Sequence, residues 1–387
     1  MPSKLKKIIG DCFSDMLQRQ LIDLQRDLHR HPELSHNELQ TQARLLAALK
    51  HCNTRWIERV GTGIVARLIG QDSNLPPVAL RADMDALPIQ EATGLPHASV
   101  NAGVMHACGH DVHMAWAIGA ARLLSQSPPP SDVLLVFQPA EELGVGAKMI
   151  MASGLLPNNV TAIFGGHVDR RYDVGQVVLH PGVISSFSDR FKLIVHGKSA
   201  HAARPKEGHN PIPTLAERCL AIDAINNQLG DATNLITVTQ LHSGDRHNII
   251  PDTGVLEGTI RCLSAEKRLA IHGALSGLAT ISSVDVDIEP VSPAIKNDPQ
   301  LEQVARRAIH DALGPNGDVG LVAPNMASED FGVYAQHFPA WFFRFGAKQA
   351  GGPFIPVHTP DFYADDATMF VGAMVLDLAC RYAGECS

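Results

Sequence analysis

The sequence predicts an α/β protein: a mostly parallel sheet flanked by helices, interrupted by a smaller inserted α+β domain. Three observations lead there. In the first part of the chain, short apolar strands alternate with helical stretches, which argues for a parallel sheet covered on both faces. From about residue 188 to residue 289 the strands change to period-two alternation. Their order is strand, helix, two strands, helix, strand, the split βαβ pattern of a small open sheet. Helix-and-strand alternation then resumes to the C-terminus. The predicted boundaries are 1–183 and 292–387 for a discontinuous large domain and 184–291 for the insertion. At 387 residues the chain is too long for one ordinary core, so two domains are the default.

Taken in order, the opening stretch MPSKLKKIIGDCFSDML has a basic start, but Asp11 and Asp15 interrupt its apolar run. It reads as an amphipathic surface helix and not as a signal peptide. Residues 21–31 and 37–51 read as helices, with Pro32 breaking between them. Residues 63–69 and 78–81 read as strands. Residues 108–125 are Ala-rich with apolar positions at three- and four-residue spacing, hence helical. Residues 133–137 form a short apolar strand and 163–165 another. A composition shift at Pro181-Gly182 opens the insertion. Its strands are marked by Phe191, Leu193 and Val195, by Ile236 and Val238, and by residues 255–260 and 284–288. Its helices span roughly 213–227 and 265–280. Residues 290–293 lead back to the large domain.

Composition narrows the function. Hydrophobic content of 45% and charged content of 19% are ordinary for a globular enzyme. A net charge of −8 and the absence of any Lys/Arg-rich run argue against a nucleic-acid partner. No apolar stretch approaches the length of a membrane helix. The seven cysteines are scattered and odd in number, which suits a reducing compartment better than a disulfide framework. A cytoplasmic location is the resulting expectation.

The chemistry concentrates in His-Ala-Cys-Gly-His-Asp-Val-His (106–113). A thiol and three imidazoles beside a carboxylate make a metal-ligand set. Cys108 and His110 converge at a helix start, where both the helix end and a metal favour the thiolate. Standing alone, they also fit a buried cysteine beside a capping histidine. Phe-Gln-Pro-Ala-Glu-Glu places Glu141 and Glu142 directly after a strand. Adjacent carboxylates repel unless a cation is near, so one suits a metal and the other water activation; the alternative is a solvated acidic loop. His167 follows another short strand and is either a ligand or a packed strand-end residue. His358, in Pro-Val-His-Thr-Pro, is either a ligand or an ordinary loop histidine. Asp83 and Asp85 end a strand and are ligands, residues orienting ligands, or loop caps. Asn248 is a substrate contact or a turn residue. Arg261 holds a substrate carboxylate or is a surface strand residue.

Seven motifs, in order, carry a resemblance. They are Leu-His-Arg-His-Pro-Glu-Leu-Ser (28–35), Arg-Ala-Asp-Met-Asp-Ala-Leu-Pro (81–88), His-Ala-Cys-Gly-His-Asp (106–111), Gln-Pro-Ala-Glu-Glu (138–142), Gly-Lys-Ser-Ala-His-Ala (197–202), Asn-Ile-Ile-Pro-Asp (248–252) and Ser-Glu-Asp-Phe (328–331). On these the chain resembles the aminoacylase and carboxypeptidase-type metallopeptidase superfamily. Within it, it resembles the amidohydrolase branch of hippurate hydrolases, indole-acetyl-amino-acid hydrolases and N-acetyl-diaminopimelate deacetylases. The resemblance implies a zinc-peptidase-like catalytic domain and two divalent ions per subunit. It implies Cys108, His110, Glu142, His167 and His358 as ligands, Glu141 as general base and acid, and Asp85 in an orienting role. The inserted domain becomes a lid whose His201 reaches an active site, often the partner subunit's, with Asn248 and Arg261 as further substrate contacts; a homodimer through the lid follows. His106, Asp111 and His113 then fall to supporting roles. One departure concerns residues 168–173, Val-Asp-Arg-Arg-Tyr-Asp, which lack the Trp-Pro-like sequence common after this histidine and bear on the pocket wall. A second is Asp365-Asp366, where Asp-Glu is common.

The expected activity is hydrolysis of the amide bond of a small-molecule N-acyl amino acid. The ions are Zn²⁺ or Mn²⁺, with Co²⁺ or Ni²⁺ also admitted by the donors. The competing readings are a dipeptidase or carboxypeptidase-type metallopeptidase and a non-catalytic binding protein on the same fold.

Overall fold

Gly61, at φ 58°, turns the chain tightly between Thr54–Val60 and Gly63–Leu68, and this antiparallel hairpin forms one edge of an eight-stranded sheet. The computed structural model describes residues 3–229, 233–279 and 283–385. Its contacts divide the chain into two compact units. The first comprises Met1–Gly182, Lys296–Val322 and Asp330–Ser387, the second Val183–Ile295 and Ala323–Glu329.

In the first unit the sheet runs Thr54–Val60, Gly63–Leu68, Val133–Gln138, Val78–Asp83, Ala162–Asp173, Ala340–Lys348, Val177–Val178, Asp318–Val319. The four central strands, from Val133–Gln138 to Ala340–Lys348, are mutually parallel. Val133–Gln138 and Val78–Asp83 are buried at every position, as strands covered on both faces must be. The helix His110–Gln126 is buried on almost all sides. It packs against Ala367–Glu385 and Asp15–Arg30, and glycines bring the backbones close: a Cβ on Gly372 would lie 2.6 Å from the Trp116 ring and one on Gly119 2.8 Å from Ala373 Cβ.

Several element boundaries differ from expectation, each for a local reason. The opening stretch forms two helices, Ser3–Cys12 and Asp15–Arg30, because the Ser14 hydroxyl caps the second by accepting from Leu17 N–H. The expected helix 37–51 is shorter, Leu39–Leu49. The helix expected over 108–125 begins at His110, since Gly109 at φ 83° is left-handed and cannot continue it. The strand expected at 163–165 runs on as Ala162–Asp173. His167 therefore lies inside a strand, held there by parallel pairing with Ala340–Lys348.

The second unit is a four-stranded antiparallel sheet in the order Asn234–Ser243, Thr253–Cys262, Phe187–His196, Val284–Ser292. The helices Pro211–Gln228 and Ala265–Ser276 contribute Leu215, Ile222, Ile271 and Leu275 to its core, against Phe191, Leu193, Val195, Leu256 and Ile260. The first helix starts two residues earlier than expected because Asn210 caps it and Pro211 occupies its first turn. The second stops at Ser276; Thr280, the expected end, lies outside the described residues. Ala323–Glu329 joins this unit through hydrogen bonds from Asn325 N–H to Ile184 and from the Ser186 hydroxyl to Met326.

Candidate metal centre

Four neighbouring parallel strands deliver the side chains, three of them at or beyond their carboxyl ends, where open α/β sheets place their ligands, and the fourth, Ala162–Asp173, from within its length. Val78–Asp83 ends on Asp83, with Asp85 just beyond. Val133–Gln138 leads to Glu141 and Glu142. Ala162–Asp173 carries His167, and Ala340–Lys348 leads into the loop bearing His358. Cys108 and His110 come from the start of His110–Gln126. The left-handed turn at Gly109 that brings them in admits no side chain, since a Cβ there would lie 2.6 Å from Val168 Cγ2.

Cys108 is the meeting point. Its Sγ lies 3.2 Å from His167 Nε2 and 3.3 Å from His358 Nε2. The His167 Nδ1 donates to the Val168 carbonyl at 2.7 Å, which leaves Nε2 as the lone-pair nitrogen facing the sulfur. Burial depresses the His167 pKa to about 4, the neutral state a ligand requires. His358 is held by its own N–H, which donates to the Ala107 carbonyl at 2.8 Å. Its Nε2 also lies 3.5 Å from Glu142 Oε1. The donor atoms of Cys108, His110 and His167 all fall within 4.8 Å of one another; so do those of Cys108, Glu142 and His358, and those of His110, Glu141 and Glu142.

The surrounding charge favours a cation. Burial opposes a charge on His110, but Asp83, Asp85 and Glu142 outweigh it and push its pKa to about 10. His110 Nδ1 stands 3.4 Å from Asp85 Oδ1 and Nε2 stands 3.8 Å from Glu142 Oε1. Among the described residues, both His110 nitrogens and Glu142 Oε1 are buried without a hydrogen-bond partner. Leaving such atoms unsatisfied costs about 1–3 kcal/mol each. A divalent ion ligated by one His110 nitrogen and by Glu142 Oε1 would remove most of that cost, and a thiolate, three imidazoles and a carboxylate suit a borderline transition metal. The residues fit a metal site.

Asp83 and His113 also approach His110, but they are committed to each other. His113 Nδ1 lies 2.6 Å from Asp83 Oδ1, and its Nε2 accepts from Val168 N–H at 3.1 Å. With both ring nitrogens used, His113 offers no ligand atom. Asp83 Oδ2 in turn accepts from Arg81 at 2.7 Å. Asp85 holds the Glu141-Glu142 turn: its carboxylate accepts both backbone N–H groups at 3.1 Å and the Ser35 hydroxyl at 2.6 Å. The turn is otherwise costly, because Ala140 sits at φ 51°. Its N–H is taken up by Glu38 at 2.9 Å.

Three supporting residues were not singled out in the sequence. Asp330, in the Ser-Glu-Asp-Phe motif, accepts from Arg81, Gln138 and Ala147, and its N–H donates to Glu141 Oε1 at 3.4 Å. Arg81 closes that network with a bond to Gln138 Oε1. His29, the first histidine of the Leu-His-Arg-His motif, lies 2.9 Å from Asp111 and 3.3 Å from Glu91. This accounts for Asp111, which also accepts from Gln25 at 2.6 Å. The motif itself was the signal; the partners, dozens of residues away, were not visible.

The His29 cluster makes stability pH-dependent. Burial disfavours the charged ring, but Asp111 and Glu91 outweigh it and raise its pKa to about 10. A raised folded pKa stabilises fully below the unfolded value of about 6.5 and is lost as pH climbs through about 10. Urea unfolding at pH 7 to 10 is expected to lose a stabilisation on the order of a few kcal/mol. His29→Gln should flatten that fall; an equal decline in the variant excludes this origin.

The remaining candidates lie on the second unit. His201, in Ala200–His201, pairs with Ile249–Ile250, and its Nδ1 accepts from Ala203 N–H at 3.1 Å. Asn248 is adjacent, its carbonyl accepting from Ala202 N–H. Arg261 is elsewhere, on Thr253–Cys262 opposite Leu235 and Ser188 in the four-stranded sheet. The structure thus brings His201 and Asn248 together and leaves Arg261 on a different ladder.

Residues 79–381 match the model of peptidase family M20/M25/M40. N-acetyl-L-cysteine deacetylase of Bacillus subtilis is 38% identical over 85% of the chain and 81% of its own length. Thermostable carboxypeptidase 1 of Saccharolobus solfataricus is 34% identical over 92% and 93%. Among solved structures, the Bacillus subtilis YXEP protein, described as a dinuclear metal-binding peptidase from the M20 family, superposes with a TM-score of 0.82 at 31% identity. That match covers 96% of this chain and 99% of that one.

Proposed function

Since this chain belongs to peptidase family M20/M25/M40 and is a metal-dependent amide hydrolase, we propose that it cleaves N-acyl amino acids with two divalent ions held around Cys108. The observation that carries the proposal is the pair of overlapping donor groups, Cys108–His110–His167 and Cys108–Glu142–His358, with Glu141 beside them. These five residues would hold the ions; Zn²⁺ or Mn²⁺ suits the set best, and Co²⁺ or Ni²⁺ is admitted. Bound there, such ions lower the pKa of water toward neutrality and polarise a carbonyl.

The protein's own groups do the rest. Glu141 takes the proton from the attacking water and returns it to the leaving amine nitrogen. Its backbone is fixed by Asp85 and its Oε1 by Asp330 N–H. Asp85 acts by fixing that turn. His201 donates to the oxygen of the tetrahedral intermediate, while Asn248 and Arg261 receive the substrate's amino-acid carboxylate. The inserted unit acts as the lid and as the contact of a homodimer. A cytoplasmic location fits the seven scattered cysteines, an odd number that suits a reducing compartment. No described helix is long and apolar enough to cross a membrane. The deacetylase relative supports an N-acyl amino acid as substrate.

The test is a panel of N-acetyl and N-benzoyl amino acids and dipeptides, incubated with protein loaded with Mn²⁺ or Zn²⁺. The N-acyl amino acids should exceed the dipeptides in kcat/KM by about tenfold or more, with turnover abolished by a chelator. Preference for dipeptides would favour a peptidase, and no chelator-sensitive hydrolysis would favour a binding protein.

A further inference from the structure

Arg170 stands three residues beyond His167, in the Val-Asp-Arg-Arg-Tyr-Asp segment that departs from the amidohydrolase pattern. It is only 3% exposed, and a buried guanidinium requires acceptors. Two of its acceptors are backbone carbonyls, not carboxylates. Nη1 donates to the Tyr363 carbonyl and Nη2 to the Pro353 carbonyl at 3.0 Å, while the guanidinium carbon stacks 4.3 Å from the centroid of the Tyr363 ring. Pro353 and Tyr363 stand five residues before and five residues after His358.

The loop between them needs such a clamp. Pro353, Pro356 and Pro360 lack N–H donors, so the segment has few hydrogen bonds of its own to make. Most of its residues from Pro353 to Pro360 are partly or fully exposed. His358 itself is at φ 63°, a conformation that costs a side-chain-bearing residue about 1–3 kcal/mol and persists only where its surroundings impose it. Ile355, Val357 and Phe362 pack against the core, but the other backbone hydrogen bonds that tie this span to the rest of the chain are single ones, His358 N–H to Ala107 and Ala92 N–H to Pro360.

We propose that Arg170 is a positioning residue for the metal centre: one guanidinium ties both limbs of the loop to the strand bearing His167 and so sets the His358 imidazole against Cys108 and Glu142. The inference rests on the reading of His358 as a ligand. Arg170 touches no reacting group; it acts through His358.

Arg170→Lys keeps the charge but loses the fork and the flat stack. Competition against a chelating dye should show one of the two ions bound about 10–100-fold more weakly, the usual effect of removing an outer partner of a ligand, and the other unchanged. In metal-free protein, hydrogen exchange at the His358 amide should accelerate. In a His358→Ala background the Lys substitution should weaken ion binding no further. Wild-type affinity for both ions in Arg170→Lys, or an equal loss in the His358→Ala background, would overturn the proposal. Should Arg170→Lys not fold, Tyr363→Leu removes the stacked ring alone and should shift the same ion in the same direction by less; no shift counts against the clamp. If His358→Ala keeps both ions, the ligand reading falls and the inference with it. If His358→Ala loses an ion while Arg170→Lys loses none, only the inference falls.

Discussion

Glu141→Gln is expected to lower kcat by roughly 10²–10⁴-fold, the range of a lost general base, while both metal equivalents stay bound. The substitution preserves size and shape, and the amide oxygen can still accept the Asp330 N–H that reaches Glu141 Oε1. The turn is also spared, because Asp85 holds it by backbone N–H groups and not by the Glu141 side chain. What is lost is a basic oxygen able to accept a proton. Glu141→Asp keeps that basicity but shortens the reach, so it should fall between wild type and Gln. Steady-state kinetics together with elemental analysis separate the outcomes. Near-normal turnover at full metal content would remove Glu141 from the proton-transfer role, whereas lost metal would reassign it as a ligand.

Cys108→Ala is expected to lose at least one of the two ions. Turnover should fall by more than the roughly 10–100-fold that removing an outer partner of a ligand costs. Cys108 belongs to both of the donor groups that define the centre, and two imidazole nitrogens converge on its sulfur at 3.2 and 3.3 Å. No neighbouring donor replaces it: His113 is engaged by Asp83 and Val168, and Asp111 by Gln25 and His29. Metal content by elemental analysis, with circular dichroism to confirm folding, gives the answer. Two ions retained in a folded Ala variant would contradict the ligand role.

The parts of this centre that the sequence disclosed are those encoded locally. Cys108 and His110 share one turn, Glu141 and Glu142 are neighbours, and each group follows an apolar run that reads as a strand or opens a helix. The α/β class was legible for the same reason, because burial on both faces writes itself into residues 133–137 as an unbroken apolar run. What stayed hidden depends on pairing between distant segments. His167 looked like a strand-end residue because the continuation of Ala162–Asp173 is imposed by Ala340–Lys348, far along the chain. The antiparallel edge hairpin depends on how Gly63–Leu68 docks on Val133–Gln138. Arg170 read only as a departure from a pattern, since its acceptors lie 183 and 193 residues away. The sorting of the 106–113 cluster followed likewise from partners such as His29 and Val168, which no local spacing reveals.

The most direct test of the central claim is a titration of metal-free protein with Mn²⁺ or Zn²⁺ against the best N-acyl amino acid substrate, with bound metal measured at each point. Turnover should be absent without metal and should keep rising until a second equivalent is bound. Full turnover in the metal-free protein, or a plateau at one equivalent, would contradict a two-metal centre built on Cys108, His110, Glu142, His167 and His358.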